Sequence, residues 1–414
     1  MSGRRVFITV ADVSGDQHAA ELVRALRSLD PQIVVEGIGG PRMAEAGVNV
    51  VYESVGAAAM GLRGATRAFE VLRLIRQTRR RYESQRPDLH VCIDSSAMNL
   101  PFAKMAKSMG VPVLYYISPQ LWASREGRIR KMRAHVDRVA CILPFEEEYY
   151  RKQGVNATFV GHPLFDALPS AEERARIRGS AGPRFPDAPA VIGIVPGSRR
   201  AEVRSNLGPL IDVARQIRAK FQRAKFLVPT TTEVHELVVK QLTQTPGIEG
   251  VLIHHTGAMP DARGRFTVKL GAFDEFIPKC DLCLCKSGTS TLHVAAWGVP
   301  MIVVYRVNPV IWHSFFRWVV KTRKIALVNI LAGNTDLVPE FIPWYGPNDA
   351  VASVAIDLLE HPDKLAEQQR KLHELVSTLD KPGASMNAAR IAMGMINRTA
   401  IDNVLDPAAI TPLR

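Results

Sequence analysis

Four short stretches of this 414-residue chain join an apolar run to a turn bearing hydroxyls, glycine or a carboxylate, which is where chemistry is commonly placed. The run 282–285 leads into Lys286-Ser287-Gly288-Thr289-Ser290-Thr291, and 192–195 leads into Pro196-Gly197-Ser198-Arg199-Arg200. As strand-to-helix turns, both would offer backbone N–H groups and the positive end of a helix dipole to an anion such as a diphosphate. Arg199 would add a planar cation able to donate two hydrogen bonds to a phosphate. An ordinary helix cap prefers the same Ser and Thr residues, so each loop alone leaves both readings open. Two such loops close together in the chain favour the ligand.

Val10-Ala11-Asp12-Val13-Ser14-Gly15-Asp16 is the matching turn near the N-terminus, and Ile93-Asp94-Ser95-Ser96 ends another apolar run. A carboxylate at the carboxyl end of a strand is a candidate general base. That description fits Asp94, with Asp12 and Asp16 beside it, although a carboxylate capping the next helix fits equally well. His162, in Gly161-His162-Pro163, is a titratable ring beside a proline that fixes the backbone. It serves either the structure or the acceptor side of a site.

The elements that must position these turns alternate. Apolar runs at 6–10, 33–38, 91–93, 111–117, 138–143 and 158–160 predict strands of one sheet, with helices between them. The rhythm restarts at 191–195, 225–228, 251–253, 282–285 and 301–305. The expected fold is therefore α/β, with two doubly wound Rossmann-like domains at 1–168 and 190–348. Pro169, Pro183, Pro186 and Pro189 mark 169–189 as a linker. Residues 349–414 read as a helical tail, expected by analogy to pack back on the first domain. Ligands of open parallel sheets bind beyond the carboxyl ends of the strands, so two such domains would face a cleft there.

A chain of this length exceeds one hydrophobic core. Its net charge of +13 would attract nucleic acid, anionic lipid or phosphorylated substrates alike. No zinc finger, aromatic RNA-binding motif or helix-turn-helix pattern supports nucleic acid. The cations are instead interleaved with apolar residues. Seven arginines between Arg67 and Arg86, Arg73 and Arg76 among them, accompany Phe69, Leu72 and Ile75. Trp312, Phe315, Phe316 and Trp318 neighbour Arg317, Lys321, Arg323 and Lys324. Both stretches suit contact with an anionic membrane surface, or helices with one face in the core and their charges in water. No run approaches the roughly 18 apolar residues of a membrane span, and residues 1–10 do not read as a secretory signal. Five cysteines, an odd number, suit a reducing compartment. Cys280, Cys283 and Cys285 lack a second half-site at metal-binding spacing, so buried thiols and no metal are expected there.

The motifs taken in order resemble the lipid-A-disaccharide synthase family. They are Ser14-Gly15-Asp16, Gly39-Gly40-Pro41-Arg42-Met43, Met60-Gly61-Leu62, Ile93-Asp94 with Asn99, and Tyr116-Ile117-Ser118-Pro119-Gln120-Leu121-Trp122-Ala123. Leu143-Pro144-Phe145-Glu146, Phe159-Val160-Gly161-His162-Pro163, Val195-Pro196-Gly197-Ser198-Arg199, Ser287-Gly288-Thr289, Tyr305-Arg306-Val307-Asn308-Pro309 and Asn329-Ile330-Leu331-Ala332-Gly333 follow.

The resemblance implies an inverting, metal-independent glycosyltransferase of GT-B fold with no cofactor. It would join UDP-2,3-diacylglucosamine to 2,3-diacylglucosamine 1-phosphate through a β-1,6 bond, at the inner face of the inner membrane, and a homodimer is among the assemblies it allows. It places the base on Asp94. The UDP contacts fall on Ser198, Arg199, Ser287, Gly288, Thr289, Arg306 and Asn329, with His293 beside them. Ser14 and Asp16 fall on the acceptor side. The sequence departs from the family pattern at Asp12 and His293, where the pattern has Glu, at Ala97, where it has Asp, and at Ser124, where it has Trp. The displaced Glu at 293 is expected to hold the nucleotide ribose. Another GT-B UDP-sugar transferase of envelope synthesis, and a non-catalytic descendant that only binds UDP-sugar, are the competing readings.

Overall fold

The computed structural model describes residues 3–54, 65–123, 126–181, 188–246, 248, 251–254, 266–307, 309 and 323–398. Met60-Gly61-Leu62, Ser124, Asn308, Trp312, Phe315, Phe316 and Trp318 lie outside them. The chain divides into two units, 1–168 with 379–414, and 169–378.

The first unit holds β1 (Arg5–Thr9), β2 (Val34–Gly39), β3 (Asn49–Glu53), β4 (Leu89–Ile93), β5 (Val113–Tyr116), β6 (Arg138–Cys141) and β7 (Ala157–Phe159). They pair in the order β3-β2-β1-β4-β5-β6-β7, every pair parallel. Parallel sheets carry helices on both faces, which explains apolar runs without alternation. Val6 and Ile8 pack in one cluster with helices Val13–Leu29 and Ala384–Asn397. Phe7 points the other way, into a cluster with Phe102, Ala103 and Ala106 of helix Ser96–Ser108.

The second unit holds β8 (Val191–Val195), β9 (Lys225–Thr230), β10 (Val251–His254), β11 (Phe266–Leu270), β12 (Leu282–Lys286), β13 (Met301–Arg306) and β14 (Glu340–Trp344). Their order is β10-β11-β9-β8-β12-β13-β14, again all parallel. The two-sheet α/β architecture is thus as expected. The first sheet's strand order reverses between β1 and β4; the second sheet's reverses between β8 and β12, with β10 and β11 exchanged at its far edge. All four turns that opened the sequence analysis follow those four strands.

The segment 169–189, expected as linker, contains helix Ala171–Ala181. Two buried arginines fasten it to the second unit: Arg174 donates to the Ala296 carbonyl at 3.0 Å, and Arg178 to those of Pro278 and Cys280, both at 2.6 Å. Helices do fill the described part of 349–414, but the docking is divided. Leu358, Leu359 and Leu365 join the second unit's core, and the Gln368 side chain accepts from Met301 N–H at 2.6 Å. Only helix Ala384–Asn397 lies on the first unit. Asp166 fixes its start, accepting from Gly383 and Ala384 N–H at 2.6 and 3.0 Å and from Ser385 N–H at 2.9 Å. Asp166→Ala is expected to lower the unfolding free energy by about 1–2 kcal/mol in urea titration, the cost of a lost N-cap; an unchanged midpoint would contradict this role.

Candidate active site

At the reversal point of the first sheet, Asp12 caps helix Val13–Leu29. Its Oδ1 accepts from Gly15 N–H at 2.9 Å and from the exposed Ser14 hydroxyl at 3.1 Å. Asp94 leaves β4 with φ +53°, and Ser95 follows at +26°. On the neighbouring strand Ile117 leaves β5 at +59°. A residue with a side chain costs on the order of 1–3 kcal/mol in such a conformation, more readily tolerated by Asp than by β-branched Ile. Strain of this kind gathers where side chains must be aimed. Two hydrogen bonds from the fully buried Asn99 hold the turn: its amide donates to the Ile93 and Asp94 carbonyls at 2.7 and 2.9 Å.

Asp16 sits close by but is not an open carboxylate. It is 1% exposed, and its oxygens accept from the N–H groups of Gly40, Arg42 and Met43 at 2.8, 2.9 and 3.1 Å. It ties the β1 turn to the β2 turn, which positions Asp12 and Ser14 without offering a base. His162 is buried at the end of β7, where Nδ1 accepts from Leu164 N–H at 3.2 Å.

Glu146 is a further carboxylate that composition could not single out. It accepts from the Trp122 indole at 2.9 Å, and from the Ser118 hydroxyl and Leu143 N–H, both at 3.2 Å. It therefore joins the turns after β5 and β6, two of the stretches that carry the family resemblance. Burial pushes its carboxyl up to about 7, against the pull of those donors.

At the reversal point of the second sheet, Gly197 turns at φ +122°, and a side chain there would meet Glu202 at 2.7 Å. Glu202 reaches back to cap its own helix: Oε2 accepts from Ser198 and Arg199 N–H at 3.2 and 3.4 Å. Its Oε1 pairs with the Arg199 guanidinium at 3.1 Å and with the Lys286 ammonium at 3.0 Å. Burial raises the Glu202 carboxyl, but Lys286 and Arg199 outweigh it and hold the group below its ordinary range. Glu202 thus assembles two cations at the mouth of the two loops. Arg199 is exposed and Lys286 nearly enclosed, the latter's ammonium lying 4.8 Å from the Tyr305 ring centre. Beside Lys286, Gly288 precedes helix Thr289–Ala296 and makes no side-chain cap; the Thr291 N–H returns to the Gly288 carbonyl at 3.1 Å, so the donors a ligand could meet are those of Thr289 and Ser290. Ser287 N–H is already given to the Val304 carbonyl at 2.9 Å.

His293 lies one turn into that helix. Its Nε2 is 2.6 Å from Asp274 Oδ1, which also accepts from the Trp297 indole at 2.8 Å, and its ring leans on Phe273 at 4.3 Å. Burial raises Asp274, yet His293 and Trp297 draw it below its usual value. A carboxylate therefore stands beside position 293, though on another element than the family pattern leads one to expect. Arg306 donates N–H to Asn206 at 2.9 Å and its guanidinium to Asn348 at 3.2 Å, over the Trp344 ring. Asn329 does not line this edge. It is wholly buried, and its amide binds Val338 on both sides and Glu340 at 2.9 Å.

The first unit also presents an apolar, basic helix face. On helix Ala65–Ser84, Phe69 is 69% and Leu72 54% exposed, with Arg73 and Arg76 exposed beside them. No helix of the described residues is long and apolar enough to cross a membrane. The five cysteines are buried free thiols. Among the described residues, no group of three or more His, Cys, Asp or Glu is placed to hold a metal ion.

With this geometry in view, comparison with known proteins is specific. A family model described as lipid-A-disaccharide synthetase matches residues 6–394. A lipid-A-disaccharide synthase of Syntrophus aciditrophicus is 34% identical over 400 residues, 96% of this chain and 100% of that one. Another, of Geobacter sulfurreducens, is 32% identical over 404 residues, 96% and 98% of the two chains. Among solved structures, the S. aureus MnaA–UDP co-structure superposes with TM-score 0.62 at 12% identity, covering 95% of this chain and 97% of that one. The glycotransferase of kitacinnamycin does so with TM-score 0.56 at 14% identity, covering 95% and 100%. These two likenesses concern the fold, and they agree with a GT-B architecture.

Glu146 supplies a pH test of the first unit's edge. Its unfolded-state value lies near 4.5 and its folded value near 7, so the unfolded chain releases the proton first as pH rises. Its contribution to stability is full below pH 4.5 and is lost as pH rises to 7, by up to about 3 kcal/mol. Urea midpoints at pH 5 and 7.5 are expected to fall for the wild type relative to Glu146→Gln; parallel pH profiles would contradict this.

Proposed function

The chain belongs to the lipid-A-disaccharide synthase family and is a glycosyltransferase of lipid A synthesis, and from that premise we propose how its two loop edges divide the reaction. The donor is UDP-2,3-diacylglucosamine and the acceptor 2,3-diacylglucosamine 1-phosphate. Asp94 takes the proton of the acceptor's 6-hydroxyl as its oxygen attacks the anomeric carbon. The bond from that carbon to the β-phosphate oxygen breaks with inversion, and UDP leaves carrying the added charge. The products are the β-1,6 disaccharide 1-phosphate and UDP.

The observation that carries this reading is the cluster at the second sheet's reversal point. Arg199, Lys286 and the N–H groups of Thr289 and Ser290 at the start of helix Thr289–Ala296 together form a fixed set of donors. Donors fixed beforehand stabilise charge that appears only in the transition state. They would do so without a metal or another cofactor. His293 with Asp274 takes the ribose, the aspartate supplying the acceptor oxygens that an imidazole lacks. Asp12, Asp16 and Glu146 position the acceptor side, with Ser14 at its rim.

The helix face bearing Phe69, Leu72, Arg73 and Arg76 would hold the enzyme to the acylated substrates as a peripheral protein on the cytoplasmic face of the inner membrane. Trp312, Phe315, Phe316 and Trp318 would add to that contact.

The assay is direct. Purified protein, both acylated sugars and detergent are expected to yield UDP and a disaccharide phosphate by mass spectrometry, and no product with any acyl length would overturn the assignment. For the membrane, each basic residue near an anionic surface contributes about 1 kcal/mol. Arg73→Ala with Arg76→Ala should thus weaken binding to phosphatidylglycerol vesicles about thirtyfold at low salt. Equal binding by both proteins would remove this face from the contact.

A further inference from the structure

We propose that a buried polar chain, Tyr82–His90–Thr9–Asn99, is a positioning device for Asp94, so that these four residues govern turnover although none of them touches substrate. The inference rests on Asp94 being the base. All four lie in the first unit's core, where Thr9, His90 and Asn99 are 0% exposed and Tyr82 is 2%. Polar groups so placed cost free energy unless every one is paired.

Here they are paired in one direction. The Thr9 hydroxyl donates to Asn99 Oδ1 at 2.7 Å, so Thr9 must accept from His90 Nε2, 3.1 Å away. His90 Nδ1 is then the bare nitrogen and accepts from the Tyr82 hydroxyl at 2.6 Å. Asn99, with its oxygen occupied, directs both amide hydrogens to the Ile93 and Asp94 carbonyls. No donor along this path lacks an acceptor. The far end of the chain therefore fixes the amide orientation at the near end, and the amide in turn fixes the two carbonyls bordering the left-handed turn.

Two further features suit this role. Phe7 and Phe102 both stack against the His90 ring, with centroids at 5.9 and 6.3 Å, which restricts its plane. Burial also drives the His90 imidazole down to about 3, so it stays neutral, with one donor and one acceptor, at any working pH. The Tyr115 hydroxyl donates to the Asp94 carbonyl as well, so that carbonyl is held from two sides. The path ends on backbone carbonyls and not on the Asp94 carboxylate. It orients that group and carries no proton.

The test compares Thr9→Val, which keeps the shape and removes the link, with Thr9→Ser, which restores the hydroxyl, and Tyr82→Phe, which cuts the chain at its distant end. Turnover, KM for both sugars and UDP affinity are measured on full-length protein whose folding is checked by thermal unfolding, with Asp94→Ala alongside. The expected result is a kcat at least tenfold lower for Thr9→Val and severalfold lower for Tyr82→Phe. KM and UDP affinity should stay within about twofold, with Thr9→Ser close to the wild type. A folded Thr9→Val or Tyr82→Phe with wild-type kcat would overturn the inference, as would losses that Thr9→Ser does not recover. Should Thr9→Val fail to fold, Tyr82→Phe decides alone. If Asp94→Ala itself turns over normally, the base assignment falls, and the positioning role falls with it.

Discussion

A parallel strand cannot be joined to its neighbour by a tight turn, and the location of each candidate group follows from that constraint. Every connection must cross over, so all strands of a sheet point the same way and their exits gather along one edge. Where the strand order reverses, the connections from two adjacent strands run to opposite faces and leave the edge open between them. In the first sheet that gap receives Asp12 and Asp94, from β1 and β4. In the second it receives Arg199 and the Ser287-Gly288-Thr289 turn, from β8 and β12. The chemistry proposed for the two units is different, yet the same feature of sheet geometry places the groups of each.

Much of the acidic content near these edges serves the backbone. Asp16, Asp166 and Glu202 each accept from two or more N–H groups at a helix start, and Glu146 gathers two turns around one carboxylate. Charged acceptors suit this task because helix starts leave N–H groups unpaired and carry partial positive charge. Glu202 goes further, since its second oxygen also holds Arg199 and Lys286. One glutamate thereby converts a helix cap into a cationic site.

How much of this was legible in the sequence depended on the kind of signal. The doubly wound architecture could be read because buried parallel strands are continuous apolar runs punctuated by Gly, Ser and Asp. Two of the edge strands, β3 and β14, lack that mark. β3 alternates half-exposed residues, and β14 contains Pro343, which an edge tolerates. The helix Ala171–Ala181 was hidden by flanking prolines and by arginines whose partners, in the 278–296 region, lie about a hundred residues away. Asp94, Arg199 and the Gly288 loop could be picked out because they end apolar runs. Nothing local distinguished Asp94, which leaves β4 half-buried and with positive φ, from Asp16, which is consumed by three N–H groups, nor revealed that Asn329 is buried. Lys286 was given no role within its loop, and Glu202 and Asp274 went unremarked, because their importance lies in contacts across elements, and sequence distance conceals those.

The central claim is that the first unit supplies the base and the second holds the diphosphate. Its most direct measurement is UDP affinity and disaccharide formation, taken side by side on Asp94→Ala and Lys286→Ala. The account predicts that Asp94→Ala binds UDP like the wild type but forms no product, and that Lys286→Ala loses affinity for UDP while binding uridine unchanged. Normal product formation by Asp94→Ala, or equal UDP affinity in Lys286→Ala and the wild type, would contradict it.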